Sequence, residues 1–532
     1  MANKNILLIE PGYKNKYPPL GLMKIAQYHG PRGKRDNVTF IKGSEKKVLD
    51  KPWDRIYVTT LFSFEWKKIS EAIDFALLAA DGHARNVFVG GIAASLMHEA
   101  FLQEPRWSGV RFIKGLLNHS PAESLQLDSF EEELYSEDTV GPPIEDQIPD
   151  YSILTQVEHK YAVHDAYFAY ASRGCVRKCS FCGVPKLEGD LYDTPSLSLI
   201  VAGIRKIYGP KKDLILMDNN VVASPRFKEI ISEIRDLGFE KGAKLDRGNG
   251  RPPVQRRVDF NQGVDARILC KSPMFLRELA SICTDPLRIA FDHWGLKAQY
   301  EQSVRYAHEF DLNSLSNYML YNFKDSPDDL YRRMWLNIQL NEELNIRIFS
   351  FPMRYQPTDM KERTYVGPNW NKYYLRSLQL ILHATHGIVS GAPSFFRRAF
   401  GSKPEEFIHL LSKPHKFIFN RDWFEELDGK AELDEYHSEF ARLSNSDRID
   451  LLHALVLFDK NTHYENARAA ITNPNVRRIF RFYQPLDKDR EAEIWRKQGE
   501  LRQNKPPEPV LVSDEKRVED ADLDMDAVLE KA

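Results

Sequence analysis

Apolar residues near the start of the chain fall in short blocks, at positions 6–9, 38–41, 56–60, 87–89 and 110–113. Between the blocks they recur every three or four positions. Short blocks predict strands, and the longer spacing predicts helices with one apolar face. Residues 67–80 are such a helix, with Ile69, Ala72, Ile73, Ala76 and Leu77 on one side. Strands alternating with helices predict a doubly wound, Rossmann-like parallel sheet over residues 1–120. Ligands of such sheets sit beyond the carboxyl ends of the strands.

Residues 121–165 are acidic and punctuated by proline, with weak periodicity, and are assigned as a linker. A second series then begins. Its predicted strands are residues 167–171, 213–217, 257–260, 287–291, 318–321 and 347–351, with helical stretches between them. Six strand–helix repeats over residues 166–358 have the rhythm of a parallel barrel. A full eight-fold barrel needs about 250 residues, so an incomplete (β/α)6 barrel is expected. Residues 359–503 read as a helical C-terminal region, and residues 504–532 as an acidic tail expected to be disordered.

Composition narrows the class. Lys and Arg number 74 against 76 Asp and Glu, for a net charge of −2, which rules out a wholesale polycation built for nucleic acid. No apolar run approaches the roughly 18 residues needed to span a bilayer, so the expected location is the cytoplasm, with no membrane partner. Five cysteines, an odd number in a chain of 532 residues, argue against a disulfide scaffold.

Three of those cysteines lie together. Residues 172–183 read SRGCVRKCSFCG, placing Cys175, Cys179 and Cys182 at C-x3-C-x2-C spacing. Three thiolates on so short a loop can converge on a soft metal centre. Four would close a zinc or cluster site, whereas three leave one position open. On a [4Fe–4S] cubane the fourth iron is then free for a non-protein ligand. Gly174 and Gly183 permit a tight backbone path, and Arg173, Arg177 and Lys178 offset negative charge. A zinc knuckle completed by a distant histidine, or three incidental thiols, are the alternatives.

Polar residues gather where the barrel strands end. The second strand is followed by Asp218, Asn219 and Asn220, the third by Asn261 and Gln262, the fourth by Asp292 and His293. Asn322 ends the fifth, and Met353, Arg354 and Tyr355 the sixth. Chemistry in a parallel barrel collects at this end, although Asp and Asn also serve as caps and turn residues.

The cysteine spacing, with Phe181 just before the third cysteine, resembles the signature of the radical S-adenosylmethionine (SAM) enzymes. The flanking SRGC and SFC resemble the subgroup with an N-terminal cobalamin-binding-type domain. Val176, where that subgroup often has proline, departs from the pattern at a non-ligand position. The resemblance covers residues 1 to about 355. It implies a [4Fe–4S] cluster on Cys175, Cys179 and Cys182, with SAM chelating the open iron. It implies that Asp218, Asn219 and Asn220 meet the methionyl amino group and that the backbone beside Phe181 meets the adenine. Asn261, Gln262 and Asp292 become candidates for ribose or substrate contacts, and Arg267 for a carboxylate partner.

In the first domain, Tyr17-Pro18-Pro19-Leu20-Gly21-Leu22, Thr59-Thr60-Leu61 and Gly90-Gly91 follow strands and resemble the loops of the cobalamin-binding-type domain. The Asp-x-His-x-x-Gly loop that supplies a lower axial histidine is absent, and EPGYKNKYPPLG contains no histidine. Cobalamin would bind here without histidine ligation, or the domain has lost the cofactor.

Other features carry less. Cys270 and Cys283 read as small buried residues rather than ligands of a second cluster. His383 and His386 lie three apart on a helix with no carboxylate partner, which favours packing or surface roles. Residues 241–257 hold six basic side chains broken up by glycine and proline. Without interleaved aromatics for base stacking they read as a solvated insertion, which argues against nucleic acid as a partner.

The expected function is reductive cleavage of SAM to methionine and a 5′-deoxyadenosyl radical, which modifies a small-molecule or unidentified substrate. The electron donor would be of the flavodoxin or ferredoxin kind, and cobalamin, if bound, would direct the outcome towards methyl transfer. Radical cyclisation or rearrangement is a further outcome of the same chemistry. The reading from another class is a non-catalytic iron–sulfur redox sensor or binding module on the same scaffold.

Overall fold

A computed structural model describes residues 3–117, 143–248, 250–385, 387–458 and 463–504. The tail expected beyond residue 504, His386 and residues 121–142 of the linker expected at 121–165 lie outside the described residues. The chain divides into two compact units. One holds residues 1–290, 298–316 and 356–365, the other residues 291–297, 317–355 and 366–532.

The first unit opens with five parallel strands, β1 (Asn5–Glu10), β2 (Asn37–Lys42), β3 (Arg55–Thr60), β4 (Val87–Gly91) and β5 (Arg111–Phe112), in the order β2-β1-β3-β4-β5. Each falls on one of the apolar blocks. Ile6 to Ile9 are fully buried because β1 is covered on both faces. The helix Trp66–Ala79 presses Ile69, Ala72, Ile73 and Ala76 into the core beside Leu7, Ile9, Ile56 and Val58. In this strand order the connections reverse direction between β1 and β3, and doubly wound sheets bind ligands at such a switch point. Glu10 and Thr60 end those two strands.

The second strand series begins with β6 (Ala166–Ala169), then a hairpin of β7 (Ser172–Arg173) with β8 (Tyr192–Asp193) that frames the cysteine loop. β9 (Asp213–Leu216) follows, then a hairpin of β10 (Lys244–Leu245) with β11 (Val254–Gln255), then β12 (Arg257–Phe260). β6, β9 and β12 are parallel and in step, with Ala169, Leu216 and Phe260 level. The segments after them therefore leave the sheet at one height.

β13 is only Leu287–Arg288, shorter than the predicted 287–291. It lies beside β12 through parallel bridges Val258–Thr284 and Val264–Ile289, and pairs in parallel with β14 (Ser314–Tyr321). The buried guanidinium of Arg288 grips both carboxylate oxygens of Asp259 on β12, at 2.7 and 2.8 Å, and reaches Ser316 Oγ on β14 at 3.2 Å. One arginine thus supplies the cross-links that the short ladder lacks.

The basic segment forms the β10–β11 hairpin and its loop. With Asp165 and Lys211 it lines a cavity of about 440 Å³ at the amino ends of β6 and β9, away from the cysteine loop. Arg247 faces Asp165 at 3.8 Å, and Arg256 is buried over the Phe239 ring.

The second unit contains the end of β14, β15 (Arg347–Arg354), the helix Pro327–Leu344 and the helices from Lys372–Ala384 to Lys488–Asn504. β15 neighbours β14. Aromatic side chains, among them Phe396, Phe400, Phe407, Tyr436 and Phe480, fill the helical core. No described helix is long and apolar enough to cross a membrane.

Replacing Arg288 by Met strands the Asp259 carboxylate in a buried site, which costs about 3–5 kcal/mol. Urea denaturation should register a loss of that size, and the paired change Arg288→Met/Asp259→Leu should recover most of it.

Candidate active site

The cysteine loop starts from a buried anchor. Arg173, in β7, pairs with Glu188 Oε1 at 2.9 Å and with Glu145, and its guanidinium lies 3.3 Å from the centre of the Tyr170 ring. Glu145 also takes the Lys24 ammonium at 2.6 Å. Burial would raise the Glu145 pKa, but Lys24 and Arg173 outweigh it and hold it below the usual range. Glu188 uses its second oxygen to accept from the Gly174 amide at 2.8 Å and the Asn219 side-chain amide at 2.7 Å. Gly174 has φ +70°, and a Cβ there would sit 2.1 Å from the Asp190 carbonyl oxygen, so only glycine fits.

Above that anchor the three thiols are half-buried and none is in a disulfide. The Arg177 amide donates to Cys175 Sγ at 3.3 Å and the Val184 amide to Cys182 Sγ at 3.4 Å. Among the described residues, no three His, Cys, Asp or Glu side chains gather around one metal ion; a cubane instead places each thiolate on a separate iron.

Asp265 connects the loop to the end of β12. It caps the turn Ala266–Leu269, accepting from the Arg267 amide at 3.0 Å and from Arg267 Nε at 2.7 Å on one oxygen. Its other oxygen accepts from Arg177 Nε at 3.0 Å. Burial alone would raise the Asp265 pKa; its two arginines hold it below the ordinary value. For Arg267 burial pulls downward, and Asp265 and Cys179 more than reverse it.

The residues after β9 take different roles. Asp218 is 2% exposed and accepts from the Ala171 amide, the Ser172 amide and the Ser172 hydroxyl. It braces the entry to the cysteine loop. Asn219 is taken by Glu188. Asn220 is the buried residue that meets the cysteines, with Nδ2 3.8 Å from Cys175 Sγ. Its Oδ1 is buried and has no hydrogen-bond partner among the described residues. Phe181 is half-buried in the loop.

Asn261 is buried and accepts from the Tyr17 hydroxyl at 2.7 Å, while Gln262 is exposed. Asp292 lies in the second unit, half-buried. So does Asn322, which is fully buried and ties strand ends together, accepting from the Gly367 amide at 2.8 Å and donating to the Tyr355 carbonyl at 3.1 Å.

At the first sheet, Thr60 and Gly91 hold each other. Thr60 Oγ1 donates to the Gly90 carbonyl and accepts from the Ala94 amide, both at 2.9 Å. Gly91 has φ +103°, and a Cβ there would come within 2.4 Å of the Thr60 carbonyl oxygen. A close approach to β3 therefore requires glycine here. Thr59 and Leu61 are half-buried, and at Gly90 a Cβ would meet nothing nearer than Ile113 at 3.9 Å. The helix Ile92–Leu96 after Gly91 brings Leu96 against Gly183 of the cysteine loop, 3.0 Å from where a Cβ would stand.

No family model matches the chain. Among curated proteins it is similar to the ribosomal protein uS12 methylthiotransferase RimO of Xanthomonas oryzae pv. oryzae, 32% identical over 81 residues, 15% of this chain and 16% of that one. RimO of Chlorobaculum parvum is 24% identical over 185 residues, 32% and 36% of the two chains. The bacteriochlorophyllide d C-12(1)-methyltransferase of Chlorobaculum tepidum is 22% identical over 263 residues, 47% and 55%. The chain thus spans between 16% and 55% of the length of these relatives. Among solved structures, the cobalamin-dependent S-adenosylmethionine radical enzyme OxsB with aqua-cobalamin and S-adenosylmethionine bound shares the fold. The match has a TM-score of 0.50 at 13% identity over 99% of this chain and 83% of that one. In sequence the chain is thus similar to parts of methylthiotransferases and a methyltransferase, and it shares its fold with a cobalamin-dependent radical enzyme.

Sequence reasoning missed four residues of this site. Glu145 and Glu188 sat in an acidic linker and an unremarked turn, with no signal of burial. Asp265 lay five positions past a strand end, although its place two residues before Arg267 was a capping signal. Tyr17 was seen only as part of a first-domain loop. The distant Cys283 is buried and donates to the Glu240 carbonyl at 2.8 Å, as a packing residue would, and Cys270 is half-buried.

Burial pushes the Asp218 carboxyl up to about 6 from its ordinary 3.8, against the pull of Ser172 and Ala171. The folded state therefore takes up this proton before the unfolded chain does, and the site gains stability as pH falls from about 6 towards 4. Asp218→Asn should remove that gain. Urea midpoints at pH 7 and pH 4.5 should move in favour of the native protein relative to the variant on acidification; parallel shifts would reject it.

Proposed function

We propose that the chain carries a [4Fe–4S] cluster on Cys175, Cys179 and Cys182, binds SAM at the iron they leave open, and uses the pair for radical modification of a substrate. The observation that carries this reading is Asn220. Its amide lies on Cys175 and its buried carbonyl oxygen lacks a donor, a position suited to the amino group of SAM. Bound there, cluster and SAM would supply one-electron cleavage of the sulfonium to methionine and a 5′-deoxyadenosyl radical.

The protein's own contribution is placement. Arg173 and its two glutamates fix the loop from below, and Asp218 fixes its first strand. Phe181 would meet the adenine, and Asn261 with Tyr17 would border the ribose or substrate. An electron donor of the flavodoxin or ferredoxin kind is the expected partner. The β6–β14 series, with β15, would be the partial barrel of the family.

Cobalamin fits the first sheet in part. Thr59, Leu61 and Gly90 would line its face at the switch point, with Thr60 and Gly91 as their support. The relatives named for methyl transfer, and the fold shared with a cobalamin-dependent enzyme, favour a methyl-transfer outcome.

The test is anaerobic reconstitution followed by reduction with SAM present, with 5′-deoxyadenosine measured by mass spectrometry. A cluster that binds no SAM and releases none would leave an iron–sulfur sensor in its place. Cys175→Ala, Cys179→Ala and Cys182→Ala should each abolish cluster iron, while Cys270→Ala and Cys283→Ala should retain it. An essential role for either distant cysteine would overturn the ligand set.

If corrinoid binds, no histidine should ligate its lower face, because the loop after β1 has none. Paramagnetic resonance of the Co(II) form should lack nitrogen superhyperfine splitting once free imidazole is excluded. Gly90→Val should lower corrinoid uptake with the fold retained, since the site has room for a side chain; Gly91 is unsuitable as a probe, because its substitution strikes the β3 backbone.

A further inference from the structure

Residues 356–365 belong to the first unit, although the chain on either side of them belongs to the second. Asp359, Lys361, Glu362, Arg363 and Thr364 are exposed. The segment is closed on itself. Gln356 Nε2 donates to the Glu362 carbonyl at 2.8 Å, and the Met360 amide donates to the Pro357 carbonyl at 3.3 Å. Near its start it touches the cysteine loop, where Thr358 Cγ2 stands 3.6 Å from the position a Cβ would take at Gly183. Further on it covers the loop after β3. Lys361 Nζ lies 4.0 Å from the centre of the Trp66 ring and 3.8 Å from a Glu104 carboxylate oxygen. The Arg363 guanidinium lies 3.8 Å from the centre of the Phe64 ring, and Phe64 is stacked on Phe62 at 5.1 Å. These aromatics follow directly on Thr59-Thr60-Leu61, at the end of the sheet where doubly wound folds receive their ligands.

We propose that residues 356–365 are a strap over the carboxyl end of β3, and that it swings off Phe64 and Trp66 to let a corrinoid enter and leave. The inference rests on the cobalamin binding proposed above. Cation–π contacts at exposed sites are individually weak, so two of them keep the strap closed most of the time without locking it. The hydrogen bonds of Gln356 and Met360 are internal to the segment and travel with it, so opening does not break them. Segments held this loosely open far more often than the core unfolds. A corrin is large and flat, and its way to Thr59, Leu61 and Gly90 passes the loop on which Lys361 and Arg363 rest. The strap acts on access; the cations contribute equally before and after the ligand is in place.

The experiment compares the intact native chain with Lys361→Gln/Arg363→Gln. Opening is read without ligand, as cleavage after Glu362 by a glutamate-specific protease at concentrations where cleavage follows the open population. Access is read as the rate of hydroxocobalamin uptake and release, followed by absorbance. Losing both cation–π contacts should raise cleavage roughly tenfold. Uptake and release should quicken by a similar factor, leaving the dissociation constant unchanged. Phe64→Leu, which removes the partner of Arg363 from the other side, should act in the same direction. Cleavage equal to that of the native chain would overturn the strap, as would faster cleavage with unaltered uptake. A changed dissociation constant with unaltered uptake would make Lys361 and Arg363 part of the ligand's own site, and would also overturn it. If the native chain takes up no hydroxocobalamin, the cobalamin reading itself falls and the gate with it, whereas equal uptake rates in the two proteins overturn the gate alone.

Discussion

A single buried guanidinium organises the site. Arg173 enters from β7 and is enclosed by Glu145, Glu188 and the Tyr170 ring, with Lys24 completing the charge balance on Glu145. Each partner comes from a different part of the chain: the first helix, the connecting segment and the turn behind the cysteine loop. Breaking a buried pair by removing one member costs about 3–5 kcal/mol, because the charge left behind has no solvent. The loop cannot shift without uncovering one of these charges. Its position is therefore fixed by electrostatics under the thiols, leaving the thiols half-exposed and available.

The same economy of position explains why several polar residues at strand ends face inward. Asp218 braces Ala171 and Ser172, Asn219 serves Glu188, and Thr60 holds the turn after β4. A carboxylate or hydroxyl at the end of a buried strand meets unpaired backbone amides first, and satisfying them takes precedence over facing a ligand. What remains for a ligand is the residue whose polar atom finds no backbone partner. At the end of β9 that residue is Asn220.

Much of this was legible in the sequence. The five apolar blocks of the first domain each became a strand, and the helix at 67–80 buries four of the five residues its spacing marked, with Leu77 half-buried. The cysteine triplet declared itself through spacing and flanking glycine. The short β13 was overestimated because 287–291 is an apolar block broken only by Arg288, while only Leu287 and Arg288 enter the ladder and side-chain bonds of Arg288 do the rest. The backbone partners of Asp218 and the tight contact of Gly91 with Thr60 were not legible, because position at a strand end does not reveal what a residue packs against. Glu145, Glu188 and Asp265 were missed because a buried acid looks like any other acid until its cation is placed beside it.

The two sheets of the first unit meet through their carboxyl ends. Tyr17, from the loop after β1, hydrogen-bonds Asn261 at the end of β12, and its ring stands edge-on to Phe168 of β6. Leu96, from the helix after β4, packs on Gly183 of the cysteine loop. Ligands of doubly wound sheets and of parallel barrels both lie beyond the carboxyl ends of strands. Joining two such ends by a tyrosine hydroxyl and a leucine places the binding regions of both against each other, with no intervening layer to cross. A small hydrogen-bonded contact, unlike a broad apolar one, can hold that spacing while leaving the rest of the opening to ligands. The Lys24–Glu145–Arg173 bridge ties the first helix to the base of the cysteine loop as well, so charge reinforces the spacing that these two side chains set.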